Sequence, residues 1–195
     1  MNERLTQQLI FLTEIEKLKI VYRRNRTVDR SRFENSAEHS WHLALMALVL
    51  AEYADTPDLD LFKVVKMLLI HDLVEIYAGD TWLYDIAATN TQAEREQASA
   101  STLYALLPAT QASAFTALWE EFTARSTPEA KFAAAIDALQ PLVNHQLTGH
   151  PDDDGPHPTV TAVLARKQPI SESSSALWEL AKSVIDQCAQ MGLYK

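Results

Sequence analysis

Residues 59–76, LDLFKVVKMLLIHDLVEI, limit what this chain can fold into more than any other stretch. Apolar side chains from Leu61 to Ile70 cover nearly every side of a helical projection. A helix that is apolar all round belongs in the centre of a packed bundle. It is also too short to span a bilayer, which takes about 20 apolar residues. The neighbouring segments read as further helices. Alanine and leucine abound, only four glycines occur in 195 residues, and no segment alternates apolar with polar residues. The fold class expected is all-α, with residues 1–195 forming one domain.

The element boundaries follow from local chemistry. A first helix is predicted over residues 2–22, with Leu5, Leu9, Leu12 and Ile15 on its apolar face. Residues 23–32 hold five arginines, Arg23, Arg24, Arg26, Arg30 and Arg32. They show no period and read as a loop, solvated at its last three arginines. Asn35 followed by Glu38 fits a capping box, starting a helix to about 54 with Leu43, Met46, Leu50 and Tyr53 as its core stripe. Gly79 opens a loop over 77–90. Helices follow at 91–107 and 109–125, separated by Pro108. Thr127 and Pro128 begin another, to about 147, with a kink at Pro141. The breaker-rich stretch 148–158 is a loop whose Asp152, Asp153 and Asp154 read as solvated charges. A short helix at 159–167 and a last one, from Ser171 or Ser173 to Gly192, complete the chain.

The formal net charge is −9. That argues against a nucleic-acid polymer as partner, which needs a basic track, but leaves room for a small phosphorylated ligand. Cys188 is the sole cysteine, so neither an internal disulfide nor a thiolate zinc site is available within one chain. The start, MNERLTQQ, lacks a signal-peptide pattern and no apolar run reaches membrane-spanning length. A cytoplasmic location, away from membranes, is the expectation.

Several side chains could carry chemistry. His71-Asp72 closes the most apolar helix, where a carboxylate must be paired, metal-bound or at the mouth of a cleft. A helix end meeting solvent is the other reading of the same pair. His39 sits in the first turn of an apolar helix, with His42 three residues on; both could be ligands, or packed and hydrogen-bonded. Asp137 lies beside a core stripe of Phe132, Ile136, Leu139 and Val143, among the small or polar Ala133, Gln140 and Asn144. That setting suits a carboxylate lining a cavity and equally one at a half-exposed surface. Glu75 stands one helical turn after His71, and Asp80 follows Gly79.

The order His39, then His71-Asp72, then Asp137 resembles the H…HD…D ligand set of the HD superfamily of metal-dependent phosphohydrolases. The stretches LKIVYRR (18–24), ENSAEHS (34–40), HDLVEIYAGDTW (71–82) and AAAIDAL (133–139) are similar to those of bacterial 5′-deoxynucleotidases of the YfbR type. The resemblance covers about residues 12 to 145. It implies an HD-domain helical bundle with His39, His71, Asp72 and Asp137 holding one divalent metal. Glu75 and Asp80 would handle protons or grip the nucleotide sugar, and Arg23 would hold the substrate phosphate. The pattern has tryptophan at the next position, where this chain has Arg24. The resemblance also implies a homodimer, to which the last helix, with Leu177, Trp178, Leu180 and Ile185, either contributes or stays packed on the core.

A site of two imidazoles and two carboxylates suits Mn²⁺, Co²⁺, Fe²⁺, Zn²⁺ or Mg²⁺. The activity implied is hydrolysis of a small nucleotide, deoxynucleoside 5′-monophosphates first, by metal-activated water. Hydrolysis of a triphosphate, cyclic nucleotide or alarmone is the alternative on the same site. A non-catalytic nucleotide-binding helical protein is the alternative of another class.

Overall fold

The computed structural model describes residues 2–82, 85–153 and 157–195, with only the backbone of Ile86. Residues 83–84 of the predicted 77–90 loop and 154–156 of the predicted 148–158 loop, Asp154 among them, lie outside the described residues. The elements run α1 (Glu3–Glu14), β1 (Tyr22–Arg26), β2 (Phe33–Asn35), α2 (Ser36–Leu50), α3 (Leu61–Ile70), α4 (Glu75–Ala78), α5 (Ile86–Tyr104), α6 (Ala109–Ala124), α7 (Pro128–Thr148), α8 (Val160–Lys167) and α9 (Ser175–Gln190). Short 3₁₀ turns at Ile15–Ile20, Ala51–Tyr53, His71–Val74 and Gln168–Glu172 join some of them. The architecture is all-α apart from one small hairpin. None of the helices searched is long and apolar enough to cross a membrane.

Two apolar clusters hold the bundle together. The larger packs α3 and α7 against α2 and α9, with Leu43, Met67, Leu68, Phe132, Ile136 and Ile185 fully enclosed. The smaller joins α5 and α6 to α1 through Phe11, Leu103, Tyr104 and Trp119. The inner face of α9 is therefore spent on the core, and its Leu180 points outward. Asn35 caps α2 as expected: its side chain accepts from the Glu38 N–H at 2.9 Å, while Glu38 reaches back to the Asn35 N–H at 3.2 Å. Thr127 likewise caps α7, with Pro128 in the first turn.

Four expectations need correction. The arginine-rich stretch is a hairpin rather than a loop, with β1 antiparallel to β2. Its inward strand positions hold Arg23 and Asn25, so the apolar alternation that marks a strand is missing. The segment also bonds firmly to the bundle: Asn25 donates to Asn144 Oδ1 at 2.8 Å, and Asn144 donates to the Arg26 carbonyl at 3.0 Å. Arg30 pairs with Asp153 at 2.6 Å and Arg32 with Glu38 at 2.7 Å, so neither is a free charge. In α1 the buried residue is Phe11, whereas Leu5, Leu9 and Leu12 are exposed. Tyr53, predicted to end the core stripe of α2, lies in the 3₁₀ turn after it and is exposed. Finally, α3 stops at Ile70 and tightens into the 3₁₀ turn that carries His71 and Asp72. Its own outer face leaves Phe62 and Leu69 exposed, so it is not buried all round.

Candidate metal centre

Three elements bring the chemistry together. The first turn of α2 supplies His39, the 3₁₀ turn after α3 supplies His71 and Asp72, and the middle of α7 supplies Asp137. His39 Nε2 lies 3.0 Å from Asp137 Oδ1 and 3.9 Å from Asp72 Oδ2. His71 Nε2 lies 3.0 Å from Asp72 Oδ1 and 3.7 Å from Asp137 Oδ1. Ligand atoms of His39, His71 and Asp72 all fall within 4.8 Å of one another, close enough for one ion to reach all three. His42 does not join them; it is exposed on the next turn, with Nδ1 3.4 Å from Gln140 Nε2.

The hydrogen bonds behind the imidazoles fix which nitrogen faces the centre. His71 Nδ1 donates to the Leu68 carbonyl at 2.9 Å, leaving Nε2 buried without a hydrogen-bond partner. His39 Nδ1 donates to Gln140 Oε1 at 3.1 Å. Gln140 can only accept there, because its amide group donates to Glu34 Oε1 at 3.0 Å. Both imidazoles therefore turn an Nε2 lone pair toward carboxylate oxygens. Lone pairs facing lone pairs in a buried site call for a cation between them, and a divalent metal fits this donor set. Glu34 and Gln140, which sequence reasoning missed, orient the His39 ring. Gln140 was findable: it lies three residues after Asp137, on the same face of α7.

The protonation balance points the same way. Burial lowers the pKa of His71, but Asp72 and Asp137 outweigh it and hold the ring well above the usual histidine value. Burial opposes ionisation of Asp137, yet the His39 and His71 rings facing it draw its carboxyl well below the normal range. Without a metal, the cluster takes its positive charge as a proton on His71. A raised folded-state pKa contributes stability that is complete below the unfolded value near 6.5 and is lost as pH rises through the folded one. A metal displaces that proton. The rise in melting temperature on adding Mn²⁺ is accordingly expected to be larger at about pH 8 than at about pH 6. Thermal melts with and without metal check this, and a pH-independent increment would contradict it.

Next to this cluster lies a second group of charges. The Arg23 guanidinium faces Asp72 at 3.1 Å, Asp80 at 3.5 Å and Glu34 at 3.7 Å. Glu75 is buried and accepts a hydrogen bond from the Ser36 hydroxyl at 2.6 Å. Burial, reinforced by Asp72, pushes the Glu75 pKa well above the carboxylate range, and its carboxyl hydrogen-bonds Asp80. Burial also raises Asp80, against the pull of Arg23. Gly79 makes this convergence possible: its φ of 75° ends α4 and turns the chain so that Asp80 comes back beneath Arg23. Arg95 of α5 braces the same turn through Thr81 Oγ1 at 2.9 Å and the Ala78 carbonyl.

A cavity of about 330 Å³ opens beside the centre, lined by Arg23, Asp80, Trp82, His145, Lys167 and Tyr194 among others. At its rim Arg24 lies over the Trp82 ring, 4.5 Å from the centroid. Apart from His42, the side chains singled out from the sequence (Arg23, Arg24, His39, His71, Asp72, Glu75, Asp80 and Asp137) lie at the centre, beside it or on the cavity wall.

These features define an all-α protein built around a buried histidine–carboxylate centre of the H…HD…D kind. A family profile described as HD domain matches residues 15–178, and the chain belongs to that family. It is 29% identical over 138 residues to the 5′-deoxynucleotidase HDDC2 of Homo sapiens, a match covering 69% of this chain and 65% of the human protein. The Xenopus laevis 5′-deoxynucleotidase HDDC2 is 28% identical over 161 residues, covering 80% of this chain and 78% of that protein. The crystal structure of a predicted metal-dependent phosphohydrolase from Magnetospirillum magnetotacticum MS-1 superposes with a TM-score of 0.90 at 43% identity, over 98% of this chain and 95% of that one.

Proposed function

We propose that this protein is a metal-dependent phosphohydrolase of small nucleotides, with deoxynucleoside 5′-monophosphates as the first substrates to consider. The observation that carries the reading is the pair of buried imidazoles whose Nε2 atoms face Asp72 and Asp137 beside a cavity of about 330 Å³. The likeness to the two 5′-deoxynucleotidases supports the substrate class.

In this reading His39, His71, Asp72 and Asp137 hold one divalent ion. When bound, the ion supplies Lewis acidity toward a phosphoryl oxygen and acidifies a water. The chain's own groups do the rest. Gln140 and the Leu68 carbonyl keep both rings turned so that Nε2 faces inward. Glu75, kept neutral by burial, holds a proton beside the phosphate site that it can deliver to the departing nucleoside oxygen. Asp80 and Ser36 fix the position of that carboxyl. Arg23 neutralises Asp72 and Asp80 and presents its remaining N–H groups to the phosphate. Arg24 on Trp82 forms a flat wall for the nucleoside, supplying an aromatic surface near where the family pattern has tryptophan at position 24.

The test is phosphate release from a nucleotide panel by the metal-loaded chain. Release from deoxynucleoside monophosphates ahead of triphosphates, cyclic nucleotides and alarmones supports the assignment. Preference for one of the others moves the substrate and leaves the chemistry standing. Binding without release favours the non-catalytic alternative.

A homodimer belongs to the same reading. One face of α2 leaves Trp41, Leu45, Leu48 and Val49 exposed, spaced as a single helical stripe. An apolar stripe of that kind suits an isologous contact with a second copy. Light scattering should give a dimer mass for the wild type and a monomer mass for Trp41→Glu; a wild-type monomer would overturn it. A cytoplasmic location is also part of this proposal, in keeping with an unpaired buried Cys188.

A further inference from the structure

One buried cation has no task in this scheme. Lys167 ends α8 and is only 5% exposed, yet it lines the cavity together with Arg23, Asp80 and Trp82. Among the described residues its ammonium has no hydrogen bond and no carboxylate within ion-pair distance. Its stem is buried while its Nζ is not among the enclosed unpartnered atoms, so the ammonium opens into the cavity, where an entering anion can reach it. Lys167 shares that cavity wall with Arg23 and Asp80, the residues that adjoin the metal centre.

The other cations around the cavity are already engaged or at the surface. Arg23 faces three carboxylates. Arg24 and Arg26 stack on Trp82 and Phe33. Arg30, behind the wall, is paired with Asp153. An anion entering the cavity therefore meets an arginine that faces three carboxylates and a lysine that has no ion pair among the described residues. Burial also pushes the Lys167 pKa down to about 8, as expected for a cation lacking a counter-ion; Arg23 adds to that, and Asp137 opposes it.

We propose that Lys167 is a substrate-contacting residue whose ammonium pairs an anionic oxygen of the phosphorylated ligand. The identity of that ligand rests on the phosphohydrolase reading; the anion site itself does not depend on turnover. Lysine suits the task because its compact charge on a flexible stem can follow a phosphate oxygen.

The test uses the full chain loaded with Mn²⁺, as wild type, Lys167→Met, Lys167→Gln and Lys167→Arg. One readout is the rise in melting temperature on adding inorganic phosphate. The other is KM and kcat for a deoxynucleoside monophosphate. Lys167→Met keeps the length and packing of the side chain. Its melting temperature without phosphate is expected to be no lower than that of the wild type, because an uncompensated charge has been removed. Its response to phosphate should shrink, and its KM should rise about tenfold with metal content unchanged. Lys167→Gln should behave the same way, and Lys167→Arg should recover the phosphate response. A lysine with a merely structural role would give a lower melting temperature and an unaltered phosphate response. Unaltered phosphate response and KM in the variants would overturn the proposal even where nucleotides are hydrolysed. If the wild type hydrolyses no nucleotide while its phosphate response requires Lys167, the anion site stands and the phosphohydrolase reading falls.

Discussion

Replacing Asp137 by asparagine is expected to strip the protein of its metal and to lower kcat/KM on the order of a thousandfold or more. The substitution keeps the size of the side chain, so the packing of α7 should survive. What it removes is negative charge at the point both imidazoles face: Asp137 Oδ1 is 3.0 Å from His39 Nε2 and 3.7 Å from His71 Nε2. The amide offers an N–H to His39 in the metal-free state and a much poorer ligand in the loaded one. Circular dichroism, and melting temperature compared without metal, should stay close to wild type, while the metal content and the melting-temperature rise on adding Mn²⁺ both fall. Full metal content with normal activity would remove Asp137 from the centre.

Glu75→Gln should behave in the opposite way, retaining metal while kcat falls by about 10²–10⁴ and KM changes little. Glutamine can still accept from the Ser36 hydroxyl, which lies 2.6 Å from the Glu75 carboxylate, but it carries no transferable proton. The pH dependence separates this role from a structural one. Burial and Asp72 raise the Glu75 pKa well above the usual carboxylate value, so the carboxyl gives up its proton only as pH climbs through that raised value. Wild-type kcat should therefore decline on the alkaline side, and the variant should lose that limb. An unchanged kcat would take Glu75 out of the mechanism; loss of metal would make it part of the metal-holding shell.

The histidine–carboxylate cluster was foreshadowed by the order of four separated motifs, which resembles the HD ligand set, because residue chemistry alone left His71-Asp72 open between a helix end at solvent and an enclosed site. A carboxylate beside a histidine at the end of an apolar segment, as at His71-Asp72, has few stable fates, and burial leaves fewer. The α2 cap was plainer, since Asn35 and Glu38 act within one turn. The hairpin was hidden because its inward positions hold Arg23 and Asn25, whose partners lie far along the chain in Asp72 and Asn144. The face of α1 was misread for a related reason. Periodicity identifies a stripe of Leu5, Leu9 and Leu12, but packing against α5 and α6 selects Phe11. Lys167 gave no signal at all: a lysine in the last turn of a helix reads as a favourable terminal charge, and only the fold closes the cavity around it.

The proposed chemistry depends on one ion held between α2, the turn after α3 and α7. Anomalous diffraction from Mn²⁺-soaked crystals tests that most directly. The account predicts one strong peak within coordination distance of His39 Nε2, His71 Nε2, Asp72 and Asp137. A peak elsewhere, or a centre that stays empty at saturating metal with His71 hydrogen-bonded to Asp72 alone, would contradict it.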